Sequence, residues 1–298
     1  MKKLVLLAMA TMVVFVACKK DGIYNPKKKI SKITTIRQIE EPTPVGTVFD
    51  NRSDTNISIW KWDKNRLQQI IHPNWYENFV YDKCGRLIRV EDAAGDEYTY
   101  YEYNGAKLSK VIYYDEGTRY TKEYALEYNG KNLTKITITA PQMFRSVNKE
   151  QSPLLAVCEP AIAQIIENNI VATAAQSTQK ASVFTSTVSL EWSGKNISKI
   201  TYEENGEMYT CEMTYDDKIN PYNGFLGLYF DDNYKMENYK NKNNIKSITS
   251  KMRGETQVVN FEYEYDGQWP TKITQTGKLY PWGSGKTYSY IEYKNSKK

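Results

Sequence analysis

From about residue 30 to residue 293 the chain alternates bulky apolar and polar residues in short runs, and the runs themselves recur. YNGKNLTKI at Tyr128 to Ile136 returns almost letter for letter as WSGKNISKI at Trp192 to Ile200. Extended two residues upstream, the shared pattern is bulky apolar, variable, aromatic, turn, then Leu or Ile, any residue, Lys or Arg, and Ile or Val. Its aromatic position holds Trp62, Tyr81, Tyr103, Tyr128, Trp192, Tyr215, Tyr265 and Tyr293. Two residues earlier stand Trp60, Phe79, Tyr101, Leu126, Leu190, Met213, Tyr263 and Ile291, with a polar residue between in every copy but that of Val80. Period-two alternation is the strand signal, so each copy ends one strand and begins the next.

The turn between the two strands is encoded locally. Asn104-Gly105, Asn129-Gly130, Ser193-Gly194 and Asp266-Gly267 tolerate the positive φ that a tight hairpin needs. Past the turn, Leu108 and Val111, Leu133 and Ile136, and Ile197 and Ile200 are three apart, which a regular strand would put on opposite faces. A one-residue bulge returns each pair to one face. In that register Glu102 opposes Lys110, Glu127 opposes Lys135, Glu191 opposes Lys199 and Glu264 opposes Lys272, all on the solvent side. Such pairs specify register more than they stabilise.

Hairpins repeated every twenty to thirty residues, with further turns at Asp92 to Glu97, Asp115 to Thr118, Glu204 to Glu207 and Trp282 to Gly285, predict an all-β antiparallel meander. The count is roughly fifteen strands, more than an open twisted sheet carries without curling. Ile30 to Thr34 matches the second half of a repeat with no first half before it, and Ile291 to Tyr293 is a first half with no second. Pairing these two ends would close the sheet into a large barrel or shell without edges. One insertion, 141–182, breaks the pattern. Ser152-Pro153 and the spacing of Ile162, Ile165 and Ile166 predict a partly helical segment, which either plugs or caps the barrel or packs on its outside.

Ahead of the repeats, two lysines precede an apolar run from Leu4 to Ala17 that ends in Cys18. The run is short for a membrane span and reads as an export signal. Phe15 to Cys18 resembles a bacterial lipoprotein cleavage box, with Phe15 where Leu is usual, which implies lipidation of Cys18. Acyl chains there would hold the protein on a membrane. The division expected is a signal peptide at 1–17, a lipidated tether at 18–29 that keeps the body off the bilayer, and one β domain at 30–298. The localisation implied is the bacterial outer membrane, on its periplasmic or surface face.

Charge excludes little but points away from nucleic acid. Removing the signal removes Lys2 and Lys3 and takes the formal charge from +5 to +3, with the basic residues scattered along the sequence. Cys84, Cys158 and Cys211 form neither a metal spacing nor a disulfide grid, and Cys211 alternates with Tyr209, Met213 and Tyr215 as a core thiol would. No metal or cofactor is expected. His72 is the only histidine, and no Ser or Cys stands in a nucleophile context.

YDKCGRLIRVEDAAGDEYTYYEYNGAKLSKV, from Tyr81 to Val111, resembles the tyrosine-aspartate repeats of the Rhs and teneurin families, whose hairpins wind into shells. With the lipoprotein start and the length, the chain resembles a Bacteroidetes lipoprotein family described as having a porin-like barrel fold. The resemblance runs from about Ile30 to Tyr293, with degraded copies near Tyr215 and from Asn241 to Ile248, and it implies a fold without a catalytic motif.

The function expected is a non-catalytic binding or scaffolding module held by a lipid anchor and recognising a glycan or a protein. Trp75 and Trp282 lie in predicted loops and are the candidate ligand-binding residues, unless they only pack over a barrel end. A cavity lined by inward tyrosines is a further option. One alternative is a transmembrane or transport barrel, although the apolar face is largely Tyr and Trp rather than an aliphatic band between aromatic girdles. A carboxylate-based glycan-acting enzyme is the other, although most Glu and Asp are explained by strand alternation or turns.

Overall fold

The computed structural model describes residues 21–41, 54–115, 120–141, 183–204, 207–226, 240–252, 255–279 and 283–294. Sixteen strands run in chain order. They are β1 (Ile30–Glu41), β2 (Asp54–Asp63), β3 (Arg66–Ile71), β4 (Tyr76–Tyr81), β5 (Leu87–Glu91), β6 (Glu97–Asn104), β7 (Lys107–Asp115) and β8 (Tyr120–Asn129). Then follow β9 (Asn132–Pro141), β10 (Val183–Ser193), β11 (Asn196–Glu204), β12 (Glu207–Ile219), β13 (Asn243–Met252), β14 (Glu255–Asp266), β15 (Trp269–Leu279) and β16 (Gly283–Tyr293). Each pairs antiparallel with its neighbours in sequence, and β1 pairs with β16, so the sheet is a closed barrel. Ile30 lies opposite Tyr293, the join expected from the two half repeats.

The repeat register is the predicted one. Glu102, Glu127, Glu191 and Glu264 face Lys110, Lys135, Lys199 and Lys272 across their hairpins. Lys32 and Glu292 make the same contact across the closing seam at 2.7 Å. A bulge falls beside each anchor aromatic, between Glu127 and Tyr128 for example and between Glu191 and Trp192. In the turns the glycine itself is the first central residue: Asn129 pairs with Asn132 around Gly130 and Lys131, and Gly130 has φ 58°. That placement is the type II′ pattern, whose twist matches the flanking strands. Lys64 takes the equivalent position in the β2–β3 turn with φ 50°.

The bulges explain why the anchor is Tyr or Trp and never Phe. A bulge disrupts the strand ladder and leaves a carbonyl without its cross-strand donor. In most copies the polar tip of the next anchor supplies one, the Tyr128 hydroxyl being an exception. Trp62 donates to the Ile30 carbonyl, Tyr81 to Leu67, Tyr103 to Leu87, Trp192 to Leu133, Tyr215 to Ile197 and Tyr293 to Pro270, at 2.5 to 2.8 Å. In the degraded copy the rung shifts by two residues: Tyr263 donates to Ile245, while Tyr265 donates to Asp216.

Because these connections all join an even strand to the odd strand after it, they share one end of the barrel, and the remaining connections share the other. The turn end is apolar inside. Leu67, Leu108, Leu133 and Ile136 are fully buried there. It is also capped, by two segments that sequence did not single out. Residues 220–226 of the β12–β13 connection fold inward, where Phe225 packs on Trp60 at 4.9 Å and on Tyr24 at 5.1 Å between ring centres. The expected tether is not free along its length: Gly22 accepts from the Leu87 amide, Tyr24 donates to Pro221, and Asp21 binds the Leu108 amide and Lys240. The crevice left between cap and wall has a volume of about 10 Å³, room for roughly one water. The helical insertion and its suggested role as plug fall on residues outside those described, apart from the last strand residue, Pro141.

Over β8 to β15 the outward positions are mostly Thr, Ser, Lys and Glu, whereas Ile57, Ile59, Tyr76 and Tyr290 are exposed elsewhere on the wall. Tyr98, Tyr100 and Tyr114 cluster on the outer wall, with Tyr98 and Tyr114 stacked at 5.0 Å. The repeat anchors point inward as expected, and these three tyrosines occupy the alternate, outward positions.

Candidate functional site

The inward side chains form layers, and their chemistry changes with distance from the turn end. The first layer is the residue after each turn, such as Leu108 or Leu133. The second pairs across hairpins as Trp60 with Ile70, Tyr101 with Val111, Leu126 with Ile136 and Ile291 with Ile33. Both layers are almost wholly apolar. In the third, the wall divides.

From β7 to β12 the inward residues remain apolar or aromatic: Tyr113, Tyr124, Ile138, Val188, Tyr202 and Tyr209. Over β13 to β16 and β1 to β6 they are largely polar, including Thr35, Ser58, His72, Glu77, Gln275 and Ser289. Arg37, one step further out on β1, and Lys122 on β8 add two inward cations. The interior wall thus has an aromatic half and a hydrogen-bonding half above the apolar layers, and it is the part of the barrel whose lining would suit a ligand chamber.

The polar half is organised around named contacts. The His72 Nε2 and Glu77 Oε1 atoms are 2.9 Å apart, with both side chains essentially inaccessible. Trp75 lies over the His72 ring at 3.8 Å between centres, nearly parallel. Thr35 and Ser289 hydroxyls meet at 3.4 Å across the seam. Two buried hydroxyls in this half, those of Ser58 and Thr287, and that of Ser186 on β10 have no hydrogen-bond partner among the described residues. Buried hydroxyls left so cost about 1–3 kcal/mol each, which makes them the groups most responsive to a polar ligand.

On the aromatic half, Tyr202 and Tyr209 are 5.9 Å apart and Lys122 sits 5.3 Å from the Tyr124 ring centre. Burial, followed by the charges of Glu97 and Asp115, pushes the Tyr113 phenol far above its usual range, so its hydroxyl stays protonated. Planar faces of this kind suit the C–H faces of a sugar ring or another flat ligand.

The sequence candidates fare unevenly. Trp75 is half-buried and packed against the core, stacked on His72 rather than standing free as a loop platform. Trp282 and Cys18 lie outside the described residues, as does Cys158. Cys211 is buried, as its alternation indicated, with its thiol 3.4 Å from the Ser250 hydroxyl, and Cys84 is an exposed free thiol. Missed altogether were Arg37, Glu77 and Lys122. The signal was present: stepping by two from Ile33 reaches Thr35 and Arg37, from Phe79 reaches Glu77, and from Leu126 reaches Tyr124 and Lys122. Among the described residues no group of three or more His, Cys, Asp or Glu side chains is placed to hold a metal ion.

No family model and no curated protein matches the chain. Among solved structures, the chain is similar to a porin-like protein from Bacteroides uniformis, with 12% identity, a TM-score of 0.51, and coverage of 89% of this chain and 98% of that one. A porin-like protein from Bacteroides vulgatus is similar over 90% of this chain and 100% of its own, with 10% identity and a TM-score of 0.47. The first likeness places the chain in a porin-like barrel fold.

Proposed function

We propose that the chain is a lipid-anchored cell-envelope barrel that binds a ligand in the chamber away from its tight turns, without catalysing a reaction. The observation that carries this reading is the division of the third layer into an aromatic and a hydrogen-bonding half. A glycan fits that division, since a sugar presents hydroxyls around its edge and C–H groups on its faces. Ser58, Ser186, Thr287 and Gln275 would take its hydroxyls, and Tyr202 and Tyr209 its ring.

Two features weigh against the alternatives. A barrel embedded in lipid carries an outward apolar band about 25 Å tall. Here the wall from β8 to β15 has Glu127, Lys135, Glu191, Lys199, Glu264 and Lys272 pointing outward, with Thr and Ser between them. For an enzyme acting through paired carboxylates, the buried acid Glu77 has His72 as its partner in a contact that reads as structural, and the facing pair Glu97 and Asp115 stands beside the Tyr113 phenol.

The test is a glycan array followed by calorimetry on the chain from residue 18 onward. Binding should fall at least tenfold in Ser58→Ala/Thr287→Ala and in Gln275→Ala. A ligand whose binding survives these changes but is lost in Trp75→Ala would move the site to the loops and overturn the chamber. Anchoring is tested separately, by acyl labelling in cells that is lost in Cys18→Ser.

A further inference from the structure

Lysines that look scattered along the sequence are gathered by the fold. Alternate connections all fall on one rim, and nearly every one carries a lysine in or beside the turn: Lys64, Lys83, Lys107, Lys131, Lys195 and Lys242. Only the β14–β15 turn departs, with Gln268. None of these six is ion-paired to a described residue. Lys294 adds charge at the seam, where Lys28 is paired with Asp266.

The acids on the same rim are largely committed elsewhere. Asp82 is paired with Arg86, Asp266 with Lys28, and Asp21 with Lys240. Asp216 accepts from Tyr265 and from the Asn244 amide. The described part of the opposite end has the reverse character, with Asp92, Asp96, Glu97 and Asp115 in or beside its turns. These described turns carry acids where the tight turns carry lysines.

The N-terminal segment leaves from the basic rim. The Asp21 amide donates to Ala106 in the β6–β7 turn, and its carboxylate holds the Leu108 amide and Lys240. Cys18 is three residues upstream, a reach of at most about 11 Å in extended chain. An acyl group there cannot lie far from these lysines.

We infer that the tight-turn rim is a membrane-docking face: the barrel stands on an anionic phospholipid surface with its lysine ring against the headgroups and its chamber facing away. The orientation rests on the Cys18 anchor proposed above, while the charge complementarity does not. Acyl chains hold the chain at a membrane, and a polybasic patch adds an electrostatic attraction to anionic lipid. Each lysine near an anionic surface strengthens binding roughly fivefold. Screening at physiological salt acts over about 8 Å, so only a ring in direct apposition contributes.

The experiment uses the chain from residue 18 with Cys18→Ser, which carries no lipid and retains every paired strand. It is sedimented with phosphatidylcholine vesicles containing or lacking phosphatidylglycerol, over a salt series. Binding should be at least tenfold tighter to the anionic vesicles, weaken with salt, and be lost when Lys64, Lys83, Lys131, Lys195 and Lys242 are changed to Gln. The same change at the wall residues Lys32, Lys135, Lys199, Lys251 and Lys272 should leave it intact. Equal loss in both variants, or no preference for anionic vesicles, overturns the inference. Equally tight, rim-dependent binding of a 20-nucleotide single-stranded DNA would assign the rim to nucleic acid and also overturn it. Failure of acyl labelling at Cys18 would remove the anchor while leaving the vesicle result to stand or fall by itself.

Discussion

Replacing Tyr81, Tyr215 and Tyr293 by Phe removes three hydroxyls and nothing else from the rungs that bind each hairpin to the one before it. Each hydroxyl donates to a bulge carbonyl, at 2.7, 2.5 and 2.8 Å. A buried hydrogen bond contributes about 1 kcal/mol net, and a carbonyl left unpaired raises the loss to about 1–2 kcal/mol. The three sites belong to different hairpins and share no partner, so their effects should add to about 3–6 kcal/mol. Set against the typical stability of a domain, about 5–15 kcal/mol, the triple variant should be marginal. Urea unfolding followed by tryptophan fluorescence measures this, with Tyr98→Phe on the outer wall as a control expected within about 0.5 kcal/mol. If each single change cost less than about 0.5 kcal/mol and the triple no more than the control, the rungs would be geometry without energetic consequence. The repeat's preference for Tyr and Trp would then need another explanation.

The buried phenols of four anchors predict an alkaline limit. Burial raises Tyr81, Tyr103, Tyr128 and Tyr293 above their ordinary value of 10, so the unfolded chain ionises first. Stability should therefore hold below pH 10 and fall progressively above it, seen as a dropping urea midpoint; a flat profile to pH 11.5 would contradict the buried rungs. Asp21→Ala leaves Lys240 half-enclosed without its carboxylate and frees the Leu108 amide, and should expose residues 21–29 to protease while the barrel stays folded. Gly277→Ala should destabilise by about 2 kcal/mol or more in the same urea assay, because a Cβ there would lie 2.4 Å from the Val258 carbonyl oxygen at a φ of 137°. Lys64→Gly should stabilise by up to about 1 kcal/mol by relieving a left-handed backbone at φ 50°, read as a higher midpoint.

Strand positions, register, bulges and closure were legible because each hairpin spells its own turn and its own alternation. Glu127 opposite Lys135 follows from nine consecutive residues. The division of the chamber was not legible in the same way: whether Tyr202 faces Gln275 depends on which strands lie across the barrel, and local spacing is silent on that. The cap was hidden for a related reason. Tyr222 and Phe225 look like part of a degraded repeat, and only the fold shows that the β12–β13 connection gave up its tight turn to send them inward. The rungs were half legible, since the absence of Phe at the anchor was there to be noticed, but their acceptors lie one hairpin back. Trp75 was legible as a loop aromatic, but an aromatic in a predicted loop says nothing about the ring it stacks on.

Joining Ile30 to Tyr293 has a kinetic side. Fifteen of the sixteen strand pairings link neighbours in sequence, most of them over short loops, whereas the seam must bring together residues 263 positions apart. Long-range contacts of that kind form late, after local hairpins have lowered the entropy of the intervening chain. Until then β1 and β16 are two bare edges on a nearly complete sheet, each a template for another molecule. The last step of folding is thus also the one most exposed to polymerisation, and the apposed backbones of Lys29 and Lys294, bonded at 2.7 Å just beyond the final strand pair, act as the clasp that ends the exposure.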